Sequence, residues 1–268
     1  MASRKEQKEQ ARARRLAEEQ EAAARTRRNR RLQMLGGVLV GAAVVIGVAI
    51  AISSGNSTPN TNPDPNHNQQ AAIGHTVATL LDGIPQNGTE LGKPSAPVTM
   101  TYYGDLECPI CRDFTLQGGL TPLVQKEVRQ GKVKVVYRSF CTATCNGPGQ
   151  QVFNTQQVAA YAAGNQQRFW NYAELFYREQ GAEGSNYVNE AYLKGLAQQT
   201  PGLDINKWQT DRQDPALLGQ VQADGAAGTA QGVTGTPTVI MKGPKGETAV
   251  PSGVPSYSQL QQAISQVS

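Results

Sequence analysis

The sequence predicts an α/β layered domain with one buried sheet, and three observations carry that reading. The run Val98-Thr99-Met100-Thr101-Tyr102-Tyr103 is β-branched and aromatic and reads as a buried strand. A second run, KVKVVYRSF at 132–140, reads as a central strand, and helical patterning separates the two. A long helical block at about 149–231 then precedes a closing strand pair and a last helix. The folded domain is expected over residues 75–268 of the 268-residue chain.

Taken in order, residues 77–81 are a short candidate strand, and 83–94 carry turn signals. A helix starts at Pro109, breaks near Gly118-Gly119, resumes over 123–130 and stops at Gly131. Helices are expected at 155–164, 168–180, 189–199, 205–212 and 215–231. In the second of these, Phe169, Ala173, Phe176 and Tyr177 mark one face at helical spacing, which reads as core. A strand at 238–241 turns at Gly243-Pro244-Lys245-Gly246 and returns over 247–250. Ser256 and Gln259 form a capping box for the last helix, whose Tyr257, Leu260 and Ile264 face inward.

The segments before the domain set its address. Residues 1–33 form a basic tail: up to Arg31 there are eleven Lys/Arg against five Asp/Glu, a local charge of +6. With 25 basic and 21 acidic residues in all, the remainder holds 14 and 16, or −2. The basic character belongs to the tail, and a nucleic-acid-binding core is excluded. Residues 34–52 are uncharged and apolar, and nineteen helical residues reach ~28 Å, close to the ~30 Å of a bilayer core. Arg27, Arg28, Arg30 and Arg31 precede them and polar residues follow, so the sequence predicts a transmembrane helix with a cytoplasmic N-terminus and an extracytoplasmic domain. A cleaved signal peptide is the rival, but its apolar core is usually ~7–15 residues long. Residues 53–74, rich in Ser, Asn and Pro, read as a disordered, flexible linker.

The chemistry centres on Cys108-Pro109-Ile110-Cys111. A strand, a break at Gly104-Asp105 and a proline suited to a first helical turn put Cys108 at a helix N-terminus. Unpaired backbone N–H groups there favour a thiolate, so its pKa should fall below ~8.5. Cys111 lies one turn on, within reach of a disulfide with Cys108. An inert structural disulfide and half of a zinc site are the competing readings. Zinc lacks ligands here, because His67 and His75 both lie upstream of the core, and no metal is expected. No cofactor is expected either: nothing points to a nucleotide, flavin or haem site.

The plan resembles the thioredoxin fold, and within it the DsbA-like thiol:disulfide oxidoreductases, whose thioredoxin core carries an inserted helical domain. The resemblance covers about residues 76–268 and rests on Tyr103-Gly104-Asp105-Leu106-Glu107-Cys108-Pro109-Ile110-Cys111 and on Gly232-Val233-Thr234-Gly235-Thr236-Pro237-Thr238. It implies that Cys108 and Cys111 are the catalytic, redox-active pair. It also implies that Pro237 is cis and faces them, leaving the backbone of Thr236 to pair with a substrate peptide. One position departs from the pattern. Tyr102 stands six residues before Cys108, where such enzymes often hold a buried acid; Asp105 or Glu107 would replace it only through water. Glu107, beside Cys108, should also push the thiolate pKa up. With Pro109-Ile110 between the cysteines, a less extreme oxidant is expected.

A second pair, Cys141 and Cys145, follows the strand at 132–140. A local structural disulfide is the first reading; a second redox pair and a Cu(I) site are the others. The expected activity is oxidation of cysteines in secreted or cell-envelope proteins. A reductase or isomerase using the same site, and a non-catalytic binding module, are the alternatives. The resemblance further implies reoxidation by a membrane quinone-linked partner of DsbB or VKOR type.

Overall fold

The structure, a computed structural model, describes residues 65–182 and 184–268. Helix α1 (Pro65–Leu81) leads into a small hairpin of β1 (Gln86–Asn87) and β2 (Glu90–Leu91), then β3 (Val98–Gly104). Next come α2 (Pro109–Leu116), α3 (Leu120–Leu123), one π-helical turn (Val124–Val128) and β4 (Val133–Ser139). Helices α4 (Ala143–Asn146), α5 (Gln150–Gly164), α6 (Phe169–Arg178), α7 (Glu190–Gln199), α8 (Ile205–Asp211) and α9 (Pro215–Ala230) follow. The chain closes with β5 (Thr238–Gly243), β6 (Gly246–Ala249) and α10 (Tyr257–Val267). This is a thioredoxin-like α/β fold with a helical insertion between β4 and β5.

Two expectations need correction. Residues 77–81 are helical, not a strand, and the helix begins at Pro65, inside the stretch read as linker. Val77, Leu80 and Leu81 are buried at three- and four-residue spacing, and Ile73 joins them on the core. That is a helical face, and too few of its residues are apolar to stand out in the sequence. The tail 1–33 and the transmembrane helix at 34–52 lie outside the described residues, as does the linker before residue 65. Among the described residues no helix is long and apolar enough to cross a membrane.

The six strands lie in the order β1-β2-β4-β3-β5-β6. Strands β3 and β4 are parallel, with Gly104 opposite Ser139, while β3 and β5 are antiparallel, with Tyr103 opposite Thr238. That register gathers three segments at one end of the sheet: the turn after β3, the turn after β4 and the approach to β5. Ligand and reactive groups collect at the carboxyl ends of parallel strands for this topological reason.

Aromatic contacts join the strands to one another and to their helices. Tyr102 on β3 meets Phe114 of α2 and Tyr137 of β4, with ring centroids 5.3 and 5.4 Å apart. Tyr137 in turn packs on Phe169 and Trp170 of α6. Helix α6 buries every residue from Phe169 to Tyr177, more than the single stripe expected, because α1, α2, α5 and α7 all pack on it. The break at Gly118-Gly119 has a steric cause: a Cβ on Gly119 would come within 2.7 Å of Leu260 and 2.8 Å of the Pro255 carbonyl oxygen. Behind the sheet, buried Asp224 of α9 accepts hydrogen bonds from Tyr161, Arg138 and the Ser139 N–H, tying α5 and α9 to the end of β4.

Candidate active site

Strand β3 closes on a glycine because nothing larger fits there: a Cβ on Gly104 would lie 2.6 Å from the Tyr137 ring. The chain turns through Asp105, Leu106 and Glu107, all buried, and reaches Cys108 at the N-cap of α2. Pro109 opens the helix, and Cys108 is extended, with φ −71° and ψ 118°. Both cysteines are free and buried, Cys111 completely and Cys108 at 5% exposure. Ile110 between them is exposed.

The two thiols differ sharply. Cys108 is lowered to about 6, chiefly by hydrogen bonding from the Cys111 thiol, against the opposing effect of burial. The Thr236 side chain and the backbone N–H groups of Cys111 and Ile110 add to the lowering. Burial pushes Cys111 well above the ordinary thiol range, and the neighbouring Cys108 adds to it. Cys108 is thus ionised at neutral pH and Cys111 holds its proton. The unpaired N–H groups of the helix start contribute as expected, but the partner thiol contributes more.

In the approach to β5 the Thr236–Pro237 peptide is cis, and the Cys108 Sγ lies 3.4 Å from the Thr236 carbonyl oxygen, to which it donates only while it is a thiol. Cys108, Cys111, Thr236 and Pro237 therefore share one site, although 128 residues separate Cys108 from Thr236. Cys141 and Cys145 are joined in a disulfide with Cα atoms 5.7 Å apart, and the loop they close lies against the same site. Its Thr142 hydroxyl meets the Thr236 hydroxyl at 2.5 Å.

The position of the absent acid is filled by a phenol. Tyr102 is fully buried, its hydroxyl bonded to that of Tyr177, which reaches the Asp105 carbonyl oxygen. Burial, with the Cys111 thiol adding, pushes Tyr102 well above its ordinary range, so it stays neutral. Asp105 is occupied too. Its carboxylate accepts from the N–H groups of Glu107, Thr142 and Thr144, from the Thr144 hydroxyl and from the Gln156 amide. Glu107 differs from both. Its carboxylate oxygens are buried without a hydrogen-bond partner, and burial, with Asp105 adding, raises it to about 7. Glu107 was expected to push Cys108 up. Cys108 is lowered nonetheless, and burial, which raises Glu107, reduces the charge it carries at neutral pH.

Thr142, Thr144, Gln156 and Gln180 did not stand out in the sequence. Gln180, just past α6, donates to the carbonyl oxygens of Leu106 at 2.7 Å and Cys108 at 3.3 Å, holding the turn from the helical side. For Thr142 and Thr144 the sole sequence signal is their place between two cysteines.

This geometry can stabilise a thiolate at a helix start, set it beside the cis Thr236–Pro237 loop and keep a second thiol in reserve. Residues 86–266 match the family model described as Thioredoxin. The chain belongs to the thioredoxin family. It is 24% identical over 181 residues to the probable disulfide bond formation protein D of Bacillus anthracis, covering 64% of this chain and 81% of that protein. It is 25% identical over 152 residues to the disulfide bond formation protein D of Bacillus subtilis, covering 56% and 66% respectively. The fold is shared with oxidised BdbD from Bacillus subtilis, with a TM-score of 0.57 at 19% identity over 69% of this chain and 95% of that one.

Proposed function

We propose that this chain is anchored in the cell membrane, with its domain outside, where it oxidises cysteine pairs in secreted and cell-envelope proteins. It is a DsbA-like thiol:disulfide oxidoreductase, and Cys108–Cys111 is its reacting pair. The observation that carries the reading is the contrast between a Cys108 lowered to about 6 and a Cys111 raised by burial, with Cys108 beside the cis Thr236–Pro237 loop. The relatives named for disulfide bond formation support the direction.

In the oxidised enzyme a substrate thiolate attacks the Cys108 sulfur. The bond between Cys108 and Cys111 breaks, a substrate–Cys108 bond forms, and Cys111 leaves and takes up a proton. A second substrate thiolate attacks the substrate sulfur of that mixed disulfide, closing the substrate disulfide and releasing Cys108 as a thiolate. Two electrons pass from substrate to enzyme. The low Cys108 pKa makes it the better leaving group. Thr236 and Pro237 hold the peptide by strand-like pairing along the Thr236 backbone. A quinone-linked membrane partner of DsbB or VKOR type then reoxidises the pair, and the segment at 34–52 keeps the domain within its reach.

The test is oxidative refolding of a reduced protein whose native state needs disulfides. The oxidised full chain should speed disulfide formation and Cys108→Ala should not. Equal rates with and without the chain would leave a binding module. Thiol labelling of intact cells with a membrane-impermeant reagent, after a membrane-impermeant reductant has opened the pair, tests the address: Cys108 should react, and protection until lysis would place the domain inside.

A further inference from the structure

The loop closed by Cys141 and Cys145 reaches both halves of the active site. Its Thr142 and Thr144 N–H groups donate to Asp105 Oδ2 at 3.0 and 2.9 Å, and the Thr144 hydroxyl donates to Asp105 Oδ1. Asp105 Oδ1 also accepts from the N–H of Glu107, the residue before Cys108, at 3.1 Å. On its other side the loop sets the Thr142 hydroxyl against that of Thr236, whose carbonyl oxygen lies 3.4 Å from the Cys108 sulfur. A closed circuit results, running Cys108, Thr236, Thr142, Asp105, Glu107 and back to Cys108.

The cross-link is oddly placed for a stabilising staple. The chain entropy a disulfide removes grows with the loop it closes, and this one joins cysteines only four positions apart. Its effect is local: it fixes Thr142 and Thr144 relative to one another, and hence the Thr236 wall relative to the Cys108 turn. Both cysteines are half-buried at the sheet end that carries the active site.

We propose that the Cys141–Cys145 disulfide and Thr142 are positioning elements for the exchange reaction, holding Thr236 where a substrate peptide pairs with its backbone. This rests on Cys108 as the reacting thiol and Thr236 as the peptide-binding wall. Opening the disulfide leaves the Cys108–Cys111 pair intact but lets the wall move. Substrate affinity falls and the chemistry of the bound complex is kept.

The experiment uses the full chain, a synthetic two-cysteine peptide whose closure changes its fluorescence, and oxidised glutathione as terminal oxidant. Cys141→Ser/Cys145→Ser should raise KM about tenfold, roughly what one well-placed hydrogen bond is worth, with kcat within about threefold. Thr142→Val should act in the same direction and Thr142→Ser should restore the wild-type KM. Because they share one contact, Thr142→Val and Thr236→Val together should cost less than the sum of the two. If the double serine variant fails to fold, Thr142→Val decides. An unchanged KM in Thr142→Val, or a loss confined to kcat, overturns the proposal. Failure of the wild-type chain to turn over, or turnover surviving in Cys108→Ala, would instead overturn the oxidoreductase reading beneath it.

Discussion

The Cys108 sulfur and the Thr236 carbonyl oxygen stand 3.4 Å apart, across a gap of 128 residues in sequence. That contact joins the start of the helix that lowers the Cys108 thiol to the cis Thr236–Pro237 loop. In the proposed mechanism, a substrate paired along Thr236 would thereby be delivered to the sulfur in the site that leaves most easily.

Substituting the two cysteines separates their roles. Cys108→Ala should abolish oxidation. Cys111→Ser cannot form the Cys108–Cys111 disulfide and should not oxidise reduced substrate; offered a substrate disulfide, its Cys108 thiolate should attack and stay joined to it, because the Cys111 thiol that would displace the substrate is gone. Non-reducing electrophoresis of the reaction checks this, and a complex formed through position 111 in Cys108→Ala would reverse the assignment.

The thiolate should titrate near pH 6. Cys108 is lowered in the folded reduced protein, so the stability it lends is complete above the free thiol value of ~8.5 and is lost as pH falls through about 6. Ultraviolet thiolate absorbance of the reduced protein should disappear with a midpoint near pH 6. The unfolding free energy of the reduced form should gain on that of the oxidised form between pH 5 and pH 8. A midpoint near pH 8.5 would remove the basis for an activated Cys108.

Glu107 behaves in the opposite sense. Its folded value is raised to about 7 by burial, so its protonated form lends stability at low pH that is lost as pH rises through about 7. Glu107→Gln should stabilise the fold at pH 8, on the order of 2 kcal/mol, and have little effect at pH 5. Denaturant unfolding at the two pH values reads the difference directly; an equal effect at both would mean that the carboxyl is already solvated.

Asp105 should be the costliest polar residue to remove. Asp105→Ala leaves three buried or half-buried N–H groups without their acceptor, an expected loss of about 3–5 kcal/mol from two or more unsatisfied donors. Asp105→Asn, which keeps one carbonyl acceptor, should lose less. Thermal unfolding orders the two, and equal losses would argue against the hydrogen-bond account.

The parts of this molecule visible in its sequence are those whose signals are local. The run 98–103 is all β-branched, aromatic or methionine, and Cys108 with Pro109 announces a helix start within two residues. The helical block showed through apolar spacing, and its Asn189, Asp204 and Asp214 each cap a helix as their side chains allow. Helix α1 escaped because its apolar face is short and its first turns are polar. The Asp105 network was hidden for another reason: its partners Thr142, Thr144 and Gln156 lie 37 to 51 residues away. Nothing in Thr142 itself marks it as a neighbour of Thr236. Only the parallel pairing of β3 with β4 and the antiparallel return of β5 bring the two together.

The central claim is that the Cys108 environment favours the reduced pair and makes the disulfide oxidising. The most direct test is the reduction potential of Cys108–Cys111 in the full chain, equilibrated against glutathione. The account predicts a value near about −150 mV or higher, well above the extracytoplasmic pool. A value near about −270 mV, as in thioredoxin itself, would contradict it and make the chain a reductase.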